Sequence, residues 1–185
     1  GAGSSAGSRD FTRRIMERHG TVVVHGIKAM PGKPTLLAIA GNKLLVGAPG
    51  YPVSAVICFE QILRPLVEWM SRSPEHRGPE ADVTLTRKVP SKLGQEEFIR
   101  LSVGQVGGGL VGTPLPRGAG LITSLTRAQG MARIPPESEG KQAGEVLRAE
   151  LLVTRQEVDQ VLVCVGSHDN ILDLLANELM GLEHP

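Results

Sequence analysis

The sequence is poor in aromatic residues and has no excess of one charge. Aromatics make up 3% of its 185 residues, which argues against a surface that binds single-stranded nucleic acid by stacking. The 20 basic and 19 acidic residues are spread along the chain, so no electrostatic surface for nucleic acid or an anionic membrane is predicted. No apolar run reaches the roughly 18 residues of a membrane span, and no signal peptide opens the chain. We therefore predict neither a nucleic-acid nor a membrane partner.

Cysteine is also scarce. Cys58 and Cys164 lie within apolar runs and have neither metal-ligand spacing nor the pattern of a disulfide framework. This usage favours a reducing, cytoplasmic setting. No two of the five histidines have the helical spacing of metal ligands, and no Gly-x-Ser-x-Gly elbow supports Ser-His-Asp catalysis.

Glycine and proline are abundant, and they separate segments of different periodicity. In residues 1–76, helix-like "FTRRIMERHG", a buried strand "TVVVHGI", a strand "LLVGAP" and a helix from Val53 to Met70 alternate. This alternation predicts an α/β fold with a parallel sheet. Pro65 lies inside the long helix and is expected to kink it or to loosen one hydrogen bond. The polar segment "SRSPEHRGPE" is predicted to be a linker.

The rest of the chain has two further patterns. Residues 77–152 contain short strands between glycine and proline turns, "ADVTLTRKVP", "EEFIRLSVGQV", "GLVGTPLP", "LITSLTRAQGMARIP" and "GEVLRAEL", which predict a small barrel or sandwich. The "GGG" after Val106 predicts a hairpin turn. Residues 153–185 predict one buried strand, a polar turn and a helix beginning near Asp169 or Asn170, as in the opening of a further domain.

Three segments are candidate binding sites. In "GAGSSAGSRD", a glycine-rich loop before a helix is typical of phosphate binding, although a flexible terminus explains it as readily. Asp10 is then a helix cap or a ligand of Mg²⁺. In "MPGKPT", the turn at Pro31-Gly32 presents Lys33 either to an oxyanion or simply to solvent.

The third segment, "GAPGYP", joins a strand to the long helix. Open α/β sheets bind ligands at such junctions, where the free N–H groups of Val53, Ser54 and Ala55 would face the crevice and the Ser54 hydroxyl could add a contact. A rigid connection with no ligand is the alternative.

Together and in this order, "GSSAGSRDFT", "HGIKAMPGKPT" and "VGAPGYPVSAVICFEQILRPLVEWM" resemble the molybdopterin molybdenumtransferase family. The resemblance implies an α/β fold made of a partial parallel-sheet molybdopterin-binding domain, residues 1–76, followed by a small β-barrel domain, residues 77–152. The segment "VLVCVGSHDNILDLLANEL" resembles the start of a periplasmic-binding-protein-like domain, residues 153–185.

The family resemblance also implies an activity. It implies an enzyme that inserts molybdate into adenylylated molybdopterin and releases AMP with Mg²⁺, in a cytoplasmic homodimer. It assigns Asp10 to Mg²⁺ or molybdate and Lys33 to an oxyanion. The pterin or nucleotide would contact the remaining matched positions, Gly3, Ser4, Ser5, Gly7, Pro31, Gly32, Pro49, Gly50, Pro52 and Ser54.

Three positions depart from the family pattern. Tyr51 replaces the usual asparagine with a large phenol, which is expected to narrow the pocket. Met30 stands where many members have a second lysine, so one positive charge is lost unless Lys28 substitutes. Ala2 replaces the first glycine of the loop, which restricts its backbone.

These departures keep two other functions open. One is an oxyanion or pterin sensor with a degenerate enzyme site, and the other is a scaffold. Because the family builds its active site from additional N-terminal domains and a partner subunit, we expect the 185 residues alone to be catalytically silent.

Overall fold

The computed structural model describes residues 11–74, 77–161 and 170–182. The elements of residues 11–74 are α1 (Phe11–His19), β1 (Thr21–His25), β2 (Ala29–Met30), β3 (Leu36–Ala40), β4 (Lys43–Gly47), α2 (Pro52–Cys58), a π-helical segment (Phe59–Leu63) and α3 (Arg64–Ser71). Those that follow are β5 (Glu80–Leu85), β6 (Val89–Pro90), β7 (Glu96–Val106), β8 (Gly109–Pro114), α4 (Thr123–Thr126), β9 (Gly130–Ile134), β10 (Gly140–Lys141), β11 (Val146–Leu151), α5 (Arg155–Asp159) and α6 (Asn170–Leu182). None of the described helices is long and apolar enough to cross a membrane.

The first sheet has the strand order β1-β3-β4, and both pairings are antiparallel. The parallel sheet predicted for this part of the chain is therefore not found in the pairing of β1, β3 and β4. The reason is local: β3 and β4 are joined by Gly41-Asn42 alone, and a two-residue turn can only connect antiparallel strands. Helix α1 covers one face, where Met16 packs on Leu36 and Ala38.

The predicted long helix is confirmed, and Pro65 has the expected effect on it. Helices α2 and α3 are continuous through the π-helical segment, which ends one residue before Arg64-Pro65. Proline cannot donate a backbone hydrogen bond, and its ring clashes with the carbonyl of the preceding turn, so a locally wider helix accommodates it.

The linker prediction also agrees with the structure, since no helix or strand occurs among the described residues between Ser71 and Glu80.

The second sheet closes into a five-stranded barrel. Its order is β7-β8-β5-β11-β9, and β9 pairs back with β7. The mixed α/β fold with a barrel is thereby confirmed. The "GGG" turn is confirmed as well, because Gly107 and Gly108 have positive φ between paired Val106 and Gly109. The barrel core is apolar and includes Val83, Leu85, Ile99, Leu101, Val103, Ala132, Ile134 and Ala149.

Strand β2 links the first part of the chain to the barrel. It pairs in parallel with β7, so that Met30 lies opposite Glu97. Behind this pairing, Ala29, Ile57 and Phe98 form a small buried cluster. The "MPGKPT" turn is thus held against the barrel.

Three local predictions need correction. Strand β1 is only half-buried, because its residues alternate between exposed and intermediate. The segment "LITSLT" is not strand: it contains the short helix α4, and β9 begins only at Gly130. The buried strand predicted within residues 153–185 is not seen among the described residues. Arg155–Asp159 form helix α5 instead, and residues 162–169 lie outside the described residues. The helix predicted near Asn170 is observed as α6.

Candidate functional site

The "MPGKPT" turn has a buried backbone and an exposed lysine side chain. Pro31 and Gly32 are buried, whereas Lys33 is exposed. Gly32 has φ +124°, and a Cβ added there would lie 3.4 Å from the Ile57 side chain. The buried Thr35 hydroxyl donates to the Gly32 carbonyl over 2.8 Å. The backbone therefore fixes where Lys33 begins, while its ammonium group reaches solvent.

The strand–helix junction differs from the prediction. The N–H of Val53 donates to the carbonyl of Ala119 over 3.1 Å, and the N–H of Ala55 donates to the carbonyl of Tyr51 over 2.9 Å. Two of the three N–H groups expected to face a ligand are thus used within the protein. Ala55 bonds within the helix itself, whereas the partner of Val53 is a carbonyl of the barrel loop that sequence patterns do not reveal. Ser54 is buried, with 4% of its surface exposed.

The other junction residues divide between interior and surface. Pro49 is buried, whereas Gly50 and Pro52 are exposed. Tyr51 is 64% exposed, and its ring lies beside Gly120. The phenol therefore covers a glycine of the barrel and leaves most of its own surface to solvent.

The predicted glycine-rich loop cannot be placed. Gly3, Ser4, Ser5, Gly7 and Asp10 all lie outside the described residues. Within the described ranges, no three histidine, cysteine or acidic side chains lie together as a metal site would require. The described residues therefore do not form a site for Mg²⁺.

Cys58 is fully buried on α2, in keeping with the apolar run in which it lies. Burial raises the pKa of the Cys58 thiol, while a hydrogen bond with Thr35 lowers it to a smaller extent.

The group that the sequence patterns missed is Arg100. It lies on β7, where alternation places it on the face opposite Ile99 and Leu101, which belong to the barrel core. Only 1% of its surface is exposed. Its Nε donates to Ser124 Oγ over 2.9 Å, its Nη2 donates to the Pro116 carbonyl over 2.9 Å, and its Nη1 is buried with no partner among the described residues.

Arg100 and its charged neighbours, Arg117 and Glu97, carry one net positive charge together. Arg117 Nη1 lies 2.6 Å from Glu97 Oε1, so one carboxylate is shared by two nearby guanidinium groups. Burial, and after it the charge of Arg117, lowers the pKa of Arg100, whereas Glu97 raises it. A buried guanidinium with a free N–H edge is suited to donate hydrogen bonds to an oxyanion.

One loop joins this arginine to the predicted junction. Residues 115–122 run from β8 to α4, and Pro116 in this loop contacts Arg100 while Ala119 contacts Val53. Lys33 lies on a separate turn, where its carbonyl accepts from the Ile27 N–H. A lone arginine inside the apolar run "FIRLSV" was the sequence signal for this site.

Comparison with known proteins places the two parts of the chain in one family. Residues 1–69 match the family described as a probable molybdopterin binding domain, and residues 82–152 match the MoeA C-terminal region (domain IV). A molybdopterin-binding domain followed by this barrel defines the class of protein. The chain belongs to the molybdopterin molybdenumtransferase (MoeA) family.

Individual relatives agree with this assignment. The chain is 30% identical over 158 residues to the molybdopterin molybdenumtransferase of Bacillus subtilis, covering 84% of this chain and 36% of the relative. It is 29% identical over 156 residues to the Haemophilus influenzae protein of the same name, covering 80% and 37%. The molybdopterin biosynthesis MoeA protein from Pyrococcus horikosii has a similar structure, with a TM-score of 0.64 and 31% identity over 78% of this chain and 35% of that one. The chain thus spans about a third of the length of these relatives. The periplasmic-binding-protein-like start predicted for residues 153–185 stays a prediction.

Proposed function

We propose that this chain forms the molybdopterin-binding and barrel part of an enzyme that transfers molybdenum from molybdate to adenylylated molybdopterin with release of AMP. Family membership supports a role in molybdenum-cofactor biosynthesis. The substrates of this reaction are anions, so a protein that binds them needs buried cationic donors. The proposal includes the predicted homodimer and cytoplasmic location, which the resemblance implies.

Arg100 is the observation that carries the proposal. Its side chain is oriented by Ser124 and by the Pro116 carbonyl, while its Nη1 edge has no partner among the described residues. Leaving a charged donor buried and unsatisfied is costly, and an oxyanion would satisfy it. We assign to Arg100 the binding of an oxyanion of molybdate or of the pterin phosphate, and to Ser124 the positioning of Arg100.

The other residues take the roles that the family pattern implies. Lys33 would neutralise a second oxyanion from its rigid turn, formed by Pro31 and Gly32. Pro49, Gly50, Pro52 and Ser54 would line the pterin pocket. Because the N–H groups of Val53 and Ala55 are already used, we expect side-chain cations to contribute more to anion binding here than the start of α2 does.

The proposal extends to the glycine-rich loop of Gly3, Ser4, Ser5 and Gly7 and to Asp10 as a ligand of Mg²⁺. Asp10 would hold the ion, which would supply positive charge next to the phosphate groups of the substrate. Support comes only from the match between these residues and the family pattern.

Calorimetry on the 185-residue chain tests the binding part of this proposal. We expect saturable binding of molybdate in the presence of molybdopterin, and a loss of about tenfold or more in affinity in Arg100→Gln, because a charge-assisted hydrogen bond is removed. Arg100→Lys keeps the charge without the planar fork and should be intermediate. Arg127→Gln, at an exposed arginine next to α4, is the matched control.

AMP release, followed in the same samples, tests whether these residues support turnover. AMP release from adenylylated molybdopterin that requires molybdate would support transfer of molybdenum by these residues. Binding without AMP release would agree with the expectation that the chain alone is silent, and the assay is then repeated with the protein that contains the remaining family domains. Molybdate binding of equal strength in wild type and both Arg100 variants would rule out the assigned role.

A further inference from the structure

A cavity lies between β2 and the barrel. Its volume is about 380 Å³. One wall is apolar and comes from Met30 and Pro90, and the other carries the polar groups of Ser91, Lys92, Glu97 and Arg117.

The polar wall of this cavity presents donors and a net positive charge. Glu97 is largely buried and is paired with Arg117 at 2.6 Å, so its charge is neutralised within the protein. The Arg117 guanidinium is also anchored at 2.6 Å to the Pro90 carbonyl, which holds it at the cavity. Lys92 forms no ion pair with any residue that the structure describes. Two cations against one carboxylate leave the wall with one positive charge in excess.

Ser91 adds a further polar group to this wall. Its N–H donates to the Glu139 carbonyl over 2.8 Å, and its Oγ has no hydrogen-bond partner in the described part of the chain. Buried hydroxyls are nearly always hydrogen-bonded, so the Oγ is available to bond to a polar group in the cavity.

We propose that this cavity is an anion subsite for a phosphomonoester, in which Lys92, Arg117 and the Ser91 hydroxyl bind the phosphate and the organic body of the ligand packs on Met30 and Pro90. Arginine and lysine are the side chains that bind phosphate most readily. The apolar wall and the volume leave room for more than the phosphate group. Arg117 and Lys92 line the same cavity as Met30 and supply its positive charge.

This subsite deepens the proposed function, and it rests on that function only for the identity of the natural ligand. Arg100 is near enough to Arg117 for the two charges to interact, but it does not line this cavity. The two anion sites are therefore separate.

Methionine methyl NMR of the full chain tests the inference. The sequence has five methionines, and among them Met30 lines the cavity, Met16 lies under α1 and Met70 is on α3. With ¹³C-methyl methionine, titration with phenyl phosphate should shift the Met30 signal along a saturable curve and leave Met16 and Met70 unchanged. Inorganic phosphate should give the same shift with lower affinity, and chloride at equal ionic strength should give none.

Two variants make the test specific. Lys92→Gln should weaken phenyl phosphate binding by about tenfold, since one charge-assisted contact is lost. Lys92 has no ion pair to break, so this variant is expected to fold. Arg117→Gln should weaken binding at least as much, and Lys88→Gln, at an exposed lysine of the same barrel, should have no effect.

The possible failures can be told apart. A Met30 signal that does not move, or an affinity unchanged in Lys92→Gln and Arg117→Gln, overturns the subsite even if molybdate still binds through Arg100. A shift with inorganic phosphate that never saturates means that an adventitious ion only has been detected, and this also overturns it. If phenyl phosphate binds at Met30 but molybdate and molybdopterin do not bind at all, the proposed function fails and the subsite stands.

Discussion

The N–H of Val53, at the start of α2, donates to the carbonyl of Ala119 in the barrel loop over 3.1 Å. A carbonyl that caps the first turn of a helix occupies a position where an anion would otherwise bind. The 115–122 loop therefore has two contacts of consequence, one with this helix and one with Arg100 through Pro116. Movement of the loop would change both.

Substitution of Tyr51 tests whether its departure from the family pattern affects the binding of molybdopterin. Its side chain is 64% exposed, so we expect Tyr51→Asn to change the free energy of unfolding by no more than about 0.5 kcal/mol in urea titrations. Removal of the ring beside Gly120 should raise the affinity for molybdopterin, measured by calorimetry. Tyr51→Phe keeps the ring and should bind as wild type does. Equal affinity in all three proteins would show that the ring does not narrow the pocket.

Gly32 should be intolerant of a side chain. Its φ is +124°, and an added Cβ would contact Ile57, so Gly32→Ala is expected to reduce the free energy of unfolding by about 2–3 kcal/mol. Gly41→Ala is the matched control, because Gly41 has φ +60° but nothing within 4 Å of an added Cβ. Its cost should be about 1 kcal/mol, from backbone conformation alone. Equal costs in the two variants would mean that φ +124° is no more strained for alanine than φ +60° is.

Ser124 should contribute to stability as well as to anion binding. In Ser124→Ala the Nε of the buried Arg100 loses its partner, and an unsatisfied buried donor costs about 1–3 kcal/mol. Chemical denaturation measures this cost. Ser71→Ala is the control, because the Ser71 hydroxyl is exposed. Its partners are the carbonyls of Val67 and Glu68 and the Ser73 hydroxyl. If the two variants are equally stable, the Arg100–Ser124 bond does not stabilise the fold.

Glu157 gives a pH-dependent prediction. It accepts hydrogen bonds from the side chain and the N–H of Thr154, and these lower the pKa of Glu157 below 4.5. A carboxylate with a lowered folded-state pKa contributes stability that is present above its unfolded pKa and is lost as pH falls through the folded value. Glu157→Gln should therefore be less stable than wild type at neutral pH, and the difference should shrink below about pH 4.5. Denaturation at several pH values measures this, with the exposed Glu137→Gln as control, and a difference that does not vary with pH would contradict the assignment.

Much of the fold follows from local pattern. The helices at Phe11–His19 and Asn170–Leu182, the long helix interrupted before Pro65, and the hairpin at Gly107-Gly108 agree with sequence-based prediction. Periodicity, proline and glycine act over a few residues, so their effect can be predicted without knowledge of the rest of the chain. The same rules apply to Gly41-Asn42, a two-residue turn that favours the antiparallel β3–β4 hairpin over a parallel sheet.

Local patterns determined the candidate segments too, since "MPGKPT" and "GAPGYP" are turns by composition. Only the tertiary structure decided which polar groups in them are free. Ala119 lies far from Val53 in the chain, and Ser124 lies 24 residues from Arg100, yet each pair is hydrogen-bonded. Closing the barrel brings these residues together, and burial then makes it costly to leave the Nη1 of Arg100 without a partner. That cost depends on what surrounds the side chain, and no spacing of residues along the sequence specifies it.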